Sequence, residues 1–369
     1  MIPVFKSKVN TTKILDNLKE TLESGWLGLG PNVLKFEKAL EQYLRVPHFI
    51  ALNSGTAALH LCVRSLNLPK GSRVLTTPIT FVSTNQVLLY EQLEPVFCDV
   101  EKLTGNIDAN LIEETINRHY IKAIMVVHIG GYSCDMYKIN EIARKYNIPV
   151  IEDCCHAMGA TYLNRKVGQT NNLCAWSFTG TKNLPTGEGG GISTYDDSKY
   201  EWFLKVRRMG IERNVVTTTT QSYPWMYPIN EIGYKYNFND ILAAVGLAEL
   251  EDLDNNNLRR KQMAERYLTK LNNVICTKPD YKPDRGSSYH LLPLFFTYRD
   301  RVYNSLIKKE IYPGMHYQSN TIYPMFSKCI QINECRNAKW YSDHQLTLPF
   351  HLHLTDSDID FVIRTIHRS

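Results

Sequence analysis

Short apolar runs recur along this chain, set apart by segments of helical spacing and by polar turns. They read "FIAL" (49–52), "RVLTT" (73–77), "PVFCDV" (95–100), "IKAIMVV" (121–127), "PVIED" (149–153), "CAWSF" (174–178) and "GGIST" (190–194). Ahead of the first, "PNVLKFEKALEQYL" carries Val33, Phe36, Leu40 and Leu44 at helical spacing behind Pro31, a residue suited to a helix start. Further helices are expected from Ser54 to about Leu66, from about Thr80 to Tyr90, and over about 137–146. Strands that alternate with helices in this way imply an α/β fold with a mainly parallel sheet covered on both faces.

A length of 369 residues exceeds what one small core usually organises. The pattern divides into a large domain over residues 1–250 and a smaller α/β domain over 251–369. Between about 212 and 235 it dissolves into a threonine- and aromatic-rich stretch, "TTTTQSYPWMYP", read as a surface loop. A long helix comes next over about 239–272, then strand-like "YHLLPLFF", a helix at 301–310 and a final helix in "TDSDIDFVIRTIH". Thr355 and Asp358 at its start form a capping arrangement with Asp in place of the usual Glu.

Hydrophobic content of 43% and charged content of 21% are ordinary globular values and argue against disorder. The net charge of +5 suits an anionic small molecule and falls well short of the basic stripe of a nucleic-acid binder. Nine irregularly spaced cysteines with no CxxC pair fit free thiols in a reducing compartment. The N-terminus lacks a hydrophobic signal core and no apolar run is long enough to span a bilayer, so a cytoplasmic protein is expected. No metal site is expected, since Cys154, Cys155 and His156 are immediate neighbours.

Ligands of open parallel sheets bind beyond the carboxyl ends of the strands, which directs attention to the residues just after each run. After "FIAL", Ser54, Gly55 and Thr56 open a helix, giving free amides and the positive end of a dipole: a phosphate cradle, or simple capping by Ser54. Asp153 ends "PVIED" and can meet a cationic ligand nitrogen, or serve as a loop acid. His156 stands three residues later, and lone histidines are commonly structural. Phe81 can stack on an aromatic ligand or belong to the core.

Lys182 lies within "SFTGTKNLPTGEGGG", Ser177 to Gly191. The stretch is neither a GxxxxGK[ST] phosphate loop nor a GxGxxG dinucleotide turn, so its glycines are expected to let backbone pass close to a cofactor. A partly desolvated lysine can form a Schiff base with an aldehyde. Cradle, aromatic, strand-end acid, serine and lysine, in that order, meet the needs of pyridoxal 5′-phosphate (PLP): a phosphate site, a stacking face, a partner for the pyridine nitrogen and an amine.

The motifs "LNSGTAALHL", "TPITFVSTNQVLLYEQLEPVFCDVEKLTGNID", "VVHIGGYSCDM", "VIEDCCHAMGATY", "SFTGTKN", "GEGGGIST" and "GYKYNFNDILAAVGLAELEDLD" together resemble the DegT/DnrJ/EryC1/StrS sugar aminotransferases, from about Trp26 to the C-terminal helix. The resemblance implies a fold-type I PLP transferase that aminates nucleotide-diphosphate keto sugars, with glutamate as donor, as a homodimer with shared active sites. It makes Lys182 the Schiff-base lysine, Asp153 the partner of the pyridine nitrogen and Phe81 the stacking ring. Gly55, Thr56 and Ser177 would hold the phosphate, and His156 stands where many relatives have glutamine. Asn237 would reach the phosphate of the neighbouring subunit's cofactor, with Lys235 and Tyr317 near the substrate. "GYKYN" departs from the frequent "GYNxR", and Thr179 stands where many members have an aromatic or histidine; both bear on the sugar. The first of these looks more like members forming 4-amino sugars, so an NDP-4-keto-6-deoxyhexose is expected in preference to a 3-keto sugar. Lys182 argues against the family's dehydratases, which carry histidine there, and the lack of a helix-turn-helix segment argues against a PLP-binding sensor.

Overall fold

The computed structural model describes residues 1–211 and 228–369. The strands, in chain order, are β1 His48–Leu52, β2 Arg73–Thr76, β3 Glu94–Phe97, β4 Ile121–Val127, β5 Val150–Asp153, β6 Thr161–Tyr162 and β7 Arg165–Lys166. They continue with β8 Leu173–Ser177, β9 Gly190–Thr194, β10 Arg285–Gly286, β11 Pro293–Phe295, β12 Ile330–Gln331 and β13 Gln345–Thr347. The helices are α1 Thr11–Ser24, α2 Pro31–Leu44, α3 Gly55–Arg64, α4 Val82–Tyr90, α5 Ala109–His119 and α6 Met136–Tyr146. Then come α7 Asp197–Val206, α8 Asp240–Lys270, α9 Arg299–Ile307, α10 Arg336–His344 and α11 Asp356–His367.

An eight-stranded sheet in the order β1-β9-β8-β5-β4-β2-β3-β12 forms the centre. From β8 to β12 every pairing is parallel, whereas β9 runs antiparallel to both β8 and β1. The expected parallel α/β sheet is therefore present, with one reversed strand inside it. The reversal has a local cause: β8 and β9 are joined by a loop that returns directly, without a crossover helix. That loop carries Lys182, and Ser177 pairs with Gly190 at its mouth.

Apolar side chains on the two faces of the sheet pack under different helices. Ile50, Leu52, Ile151 and Ala175 face a cluster that includes Ala58, Leu61 and Phe203 of α3 and α7. Phe49, Ala51, Cys174 and Trp176 face Phe36, Leu40 and Leu253 of α2 and α8. The alternation of these residues along β1 and β8 is the period of a strand buried on both sides. Helix α8 bridges two cores: Ala243 and Leu253 belong to the sheet core, whereas Met263, Tyr267 and Leu271 join Leu294, Leu346 and Ile363 of the smaller C-terminal core.

The chain ends cross this division. Ile2 pairs with Ile311, and Val4 O accepts from Phe350 N at 3.0 Å, so the first residues lie on the C-terminal core. In the other direction, β12 extends the edge of the large sheet beside β3. The strand expected in "YHLLPLFF" contracts to β11, and Tyr289 at its start takes a left-handed φ of 49° that a strand does not admit. Most of the stretch read as a threonine-rich loop lies outside the described residues. At α11 the capping box is present with Asp358 as the acid.

Helix α2 starts behind Gly30, which has no side chain to cap it. The buried carboxylate of Asp240, at the start of α8, takes that role from across the fold. Its Oδ1 accepts from Gly30 N and Val33 N, both at 2.9 Å, and its Oδ2 from Asn32 N at 3.1 Å. Charge-assisted bonds to orphan helix amides are among the stronger hydrogen bonds, and removing the acceptor leaves the donors unpaired. Asp240→Ala is expected to destabilise the protein by about 3 kcal/mol. Asp240→Asn, which keeps one oxygen, should cost less. Urea unfolding midpoints test the order; equal stability of Asp240→Ala and the parent would contradict it.

Candidate active site

The turn from β1 into α3 builds the cradle. Ser54 is extended and its hydroxyl accepts from Ala57 N at 3.0 Å, capping α3 as its sequence position suggested. The amides of Gly55 and Thr56 have no hydrogen-bond partner among the described residues. A Cβ on Gly55 would lie 2.8 Å from Ser177 Cβ and 3.2 Å from Cys155 Sγ, so only glycine lets the helix start reach β8. Capping and cradle are thus both features of one turn.

The glycine run needs a correction. A Cβ on Gly190 would lie 2.4 Å from the carbonyl carbon of Ser54, and one on Gly191 would strike the ring of Phe49 at 2.4 Å. The close approach is therefore to the protein itself: β9 is pressed against the cradle and against β1, and the glycines there serve packing.

Asp153 ends β5 and is buried. Its Oδ2 accepts from Thr84 Oγ1 at 2.7 Å and its Oδ1 from Cys155 N at 3.1 Å. Thr80 Oγ1 lies 2.8 Å from Thr84 Oγ1, and because Thr84 gives its proton to the carboxylate, Thr80 is the donor in that pair. This hydroxyl relay was missed in the sequence. Its signal was two threonines four apart after a strand, Thr80 in the turn that leads into α4 and Thr84 in the first turn of that helix. Phe81 is the residue before α4 and is 56% exposed, its ring 6.3 Å from that of Tyr317 at an interplanar angle of 57°. It is therefore a cleft residue and not a core one.

Lys182 is partly buried in the β8–β9 loop, its amide bonded to Thr179 O at 2.8 Å. Burial lowers its ammonium pKa, and the nearby Cys155 and Asp153 oppose that fall only partly. Three histidines stand around it. His156 Nδ1 accepts from Gly130 N at 3.3 Å, which places the ring proton on Nε2, 3.1 Å from Tyr317 Oη. His290 lies 4.5 Å from His156 between ring centroids and bonds through Nδ1 to Asn183 Oδ1 at 3.2 Å. His316 Nδ1 meets Thr347 Oγ1 at 3.0 Å. Burial first, then the charge of Lys182, pushes His156 and His290 well below the usual imidazole value and His316 down to about 4. Burial likewise pushes the Tyr317 phenol up. His290 and His316 were not singled out in the sequence, because long chain separation hides them from motif reading.

Segment 235–237 lies beside the cradle of its own chain. Asn237 pairs with Leu52, Asn53 N donates to Tyr236 O at 2.9 Å, and Lys235 is exposed. Asn237 Nδ2 donates to Phe238 O at 3.2 Å, whereas its buried Oδ1 has no partner among the described residues. A second polar cluster needs no ligand. His128, Glu152 and Cys154 present donor atoms within 4.8 Å of one another. However, His128 Nε2 bonds Glu152 Oε2 at 2.9 Å, and Thr170 and Asn172 donate to Oε1 at 2.6 and 2.7 Å. Burial pushes the Glu152 carboxyl up, but these bonds outweigh it and hold it below the usual range.

A lysine amine, a buried carboxylate, free helix amides and a hydroxyl thus meet at the carboxyl end of one sheet, the constellation of a group-transfer enzyme that works through an amine. The DegT/DnrJ/EryC1/StrS aminotransferase family profile matches residues 9–367, and the chain belongs to that family. The family is PLP-dependent and the protein is a sugar aminotransferase. It is 32% identical to the UDP-4-amino-4,6-dideoxy-N-acetyl-β-L-altrosamine transaminase of Campylobacter jejuni, over 95% of this chain and 93% of that one. It is also 32% identical to the GDP-perosamine synthase of Caulobacter vibrioides, over 95% of this chain and 94% of the other. The sugar aminotransferase CalS13 of Micromonospora echinospora superposes with a TM-score of 0.92 at 28% identity, covering 100% of both chains. No helix among the described residues is long and apolar enough to cross a membrane.

The three neutral histidines set an acid limit. Their folded pKa values lie below the ordinary 6.5, so the unfolded chain binds protons that the folded one refuses. Their contribution to stability is complete above pH 6.5 and falls as pH drops toward 4, where His316 itself titrates. His290→Asn should flatten the acid slope of unfolding free energy by about 1.4 kcal/mol per pH unit, one proton's worth. An unchanged slope between pH 6.5 and 4.5 would contradict this (each end lies inside the window set by the shifts above).

Proposed function

We propose that the protein binds PLP at Lys182 and moves an amino group from L-glutamate to an NDP-4-keto-6-deoxyhexose, for amino-sugar biosynthesis. The carrying observation is that a partly buried lysine with a lowered pKa shares one sheet end with a buried, hydroxyl-supported carboxylate and an unpartnered helix start.

The residues present fit the cofactor. The Gly55 and Thr56 amides and the Ser177 hydroxyl would take its phosphate, the bare Gly55 letting the helix start sit against Ser177. Asp153 would hold the proton of the ring nitrogen, and the Thr84 hydroxyl keeps that carboxylate turned to one side. Phe81 would cover a ring face, and His156, tied to Tyr317, would help hold the ring. When bound, PLP supplies the electron sink that makes the carbon–hydrogen bond of an amino acid labile.

Lys182 acts as base and acid. Desolvation favours its neutral amine, so Nζ can take a proton from the donor's α-carbon and return it elsewhere without leaving the site. Asp153, on the strand beside β8, opposes complete loss of its charge. The donor leaves as 2-oxoglutarate, and its nitrogen ends on the carbonyl carbon of the sugar. Tyr317, hydrogen-bonded to His156, and Lys235 would orient the sugar, while Asn237 would reach the phosphate of a neighbouring subunit's cofactor in a homodimer. Choice of C4 rests on "GYKYN" and on the C. jejuni relative, whose name specifies a 4-amino-4,6-dideoxy sugar.

The purified protein should show a yellow absorption band that Lys182→Ala abolishes, and Lys182→Ala should lower turnover by at least about 10³-fold. Incubation with glutamate and UDP-, GDP- or dTDP-linked 4-keto-6-deoxyhexoses, read by mass spectrometry, should yield amino sugar and equimolar 2-oxoglutarate. Water loss from the sugar with no glutamate consumed would replace the transferase by a dehydratase. Amination confined to 3-keto sugars would overturn the positional choice.

A further inference from the structure

Behind Lys182, the β8–β9 loop meets the N-terminal segment, α8 and the loop after β13. A small cavity there is lined by Lys182, Lys6, Lys8, Arg260 and His351, with the polar Asn256 beside them. Arg260 is only 6% exposed and His351 only 4%. Arg260 Nε and Nη1 are buried without a hydrogen-bond partner among the described residues, and the His351 ring nitrogens, also buried, have only the Pro3 carbonyl near them, outside ordinary hydrogen-bond geometry. Among the described residues no carboxylate lines the cavity, so their lining charge is of one sign.

A guanidinium taken out of water with no counter-charge is among the costliest arrangements in a folded protein. Water can satisfy an N–H, but only an anion offsets the charge. The cavity is small, about 10 Å³, and has room for one small species but not for a sulfate or a carboxylate-bearing metabolite. We propose that Arg260 and His351 form an internal site for a monoatomic anion, chloride, which joins the N-terminal segment to α8 and to the loop that carries Lys182. The surroundings agree with such a tie. Ser7 Oγ hydrogen-bonds Gly180 O in the lysine loop, and His353 Nε2 lies 3.0 Å from Ser7 O. Ser7 thereby ties the N-terminal segment both to the lysine loop and to the segment after β13. Burial, then the neighbouring His353, Arg260 and Lys6, pushes the His351 imidazole down to about 4 against the pull of the Pro3 carbonyl, as expected where cations gather without an acid.

The site is tested without the cofactor, so its failure would leave the transfer chemistry untouched. Thermal unfolding of the wild-type protein at constant ionic strength, with chloride exchanged for a bulky organic sulfonate, should give a melting temperature that rises saturably with chloride or bromide. Acetate should leave it where the sulfonate does. Crystals grown in bromide should show an anomalous peak between the Arg260 guanidinium and the His351 ring. Arg260→Met should remove both the peak and the halide dependence. Should that variant fail to fold, His351→Phe should weaken halide stabilisation several-fold. A melting temperature indifferent to halide, or bromide-grown crystals with water at that position, would overturn the proposal.

Discussion

The close contact of Gly55 with Ser177 is the constraint on which the site depends. It brings the start of α3 against the end of β8, and any side chain at position 55 would push them apart. Across the same sheet end, Ser177 pairs with Gly190, and Gly190 pairs with Leu52 at the end of β1. The cradle, the lysine loop and the neighbouring strand are thereby locked into one register. Asp153 joins them because β5 pairs with β8, setting Asp153 opposite Ala175. Groups distant in sequence thus share one end of the sheet through strand pairing and the Gly55–Ser177 contact, and the Thr84 hydroxyl and Cys155 amide then orient the Asp153 carboxylate.

Electrostatics then divides the roles. Asp153 is buried but supported by a hydroxyl and an amide, so its charge has partners. Lys182 has none of comparable strength among the described residues, and desolvation shifts it toward the neutral amine. The histidines nearby are kept uncharged by burial and by the lysine, which prevents a competing acid from crowding the cleft. A lysine whose pKa is lowered by burial, close to a carboxylate that opposes part of the shift, gives up and regains a proton more readily than a solvated one.

Much of this was legible in the sequence, for identifiable reasons. The α/β sheet could be read because strands buried on both faces leave continuous apolar runs, and the helices because their periodicity is strong. Lys182, Asp153 and the Ser54–Thr56 turn were legible because each lies at or just after the end of a strand. Three features were not. The reversed β9 has the same composition as a parallel strand, and only the absence of a helix in the preceding loop hinted at it. The Thr80–Thr84 relay joins a hydroxyl of the turn before α4 to one on its first turn, an orientation that sequence spacing alone does not give. His290 and His316 come from the smaller C-terminal core, and chain separation conceals that they converge on Lys182. The glycine run was read as an approach to a cofactor, and it is an approach of β9 to its own neighbours, because backbone crowding leaves the same signature whatever it faces.

The chemistry requires that one lysine among many be the reactive amine. Borohydride reduction of the protein in the presence of PLP, with peptide mass spectrometry of the product, decides whether it is. A pyridoxyl label is expected on Lys182 and on no other lysine. A label on another lysine, or no label with Lys182 intact and accessible, would contradict the assignment.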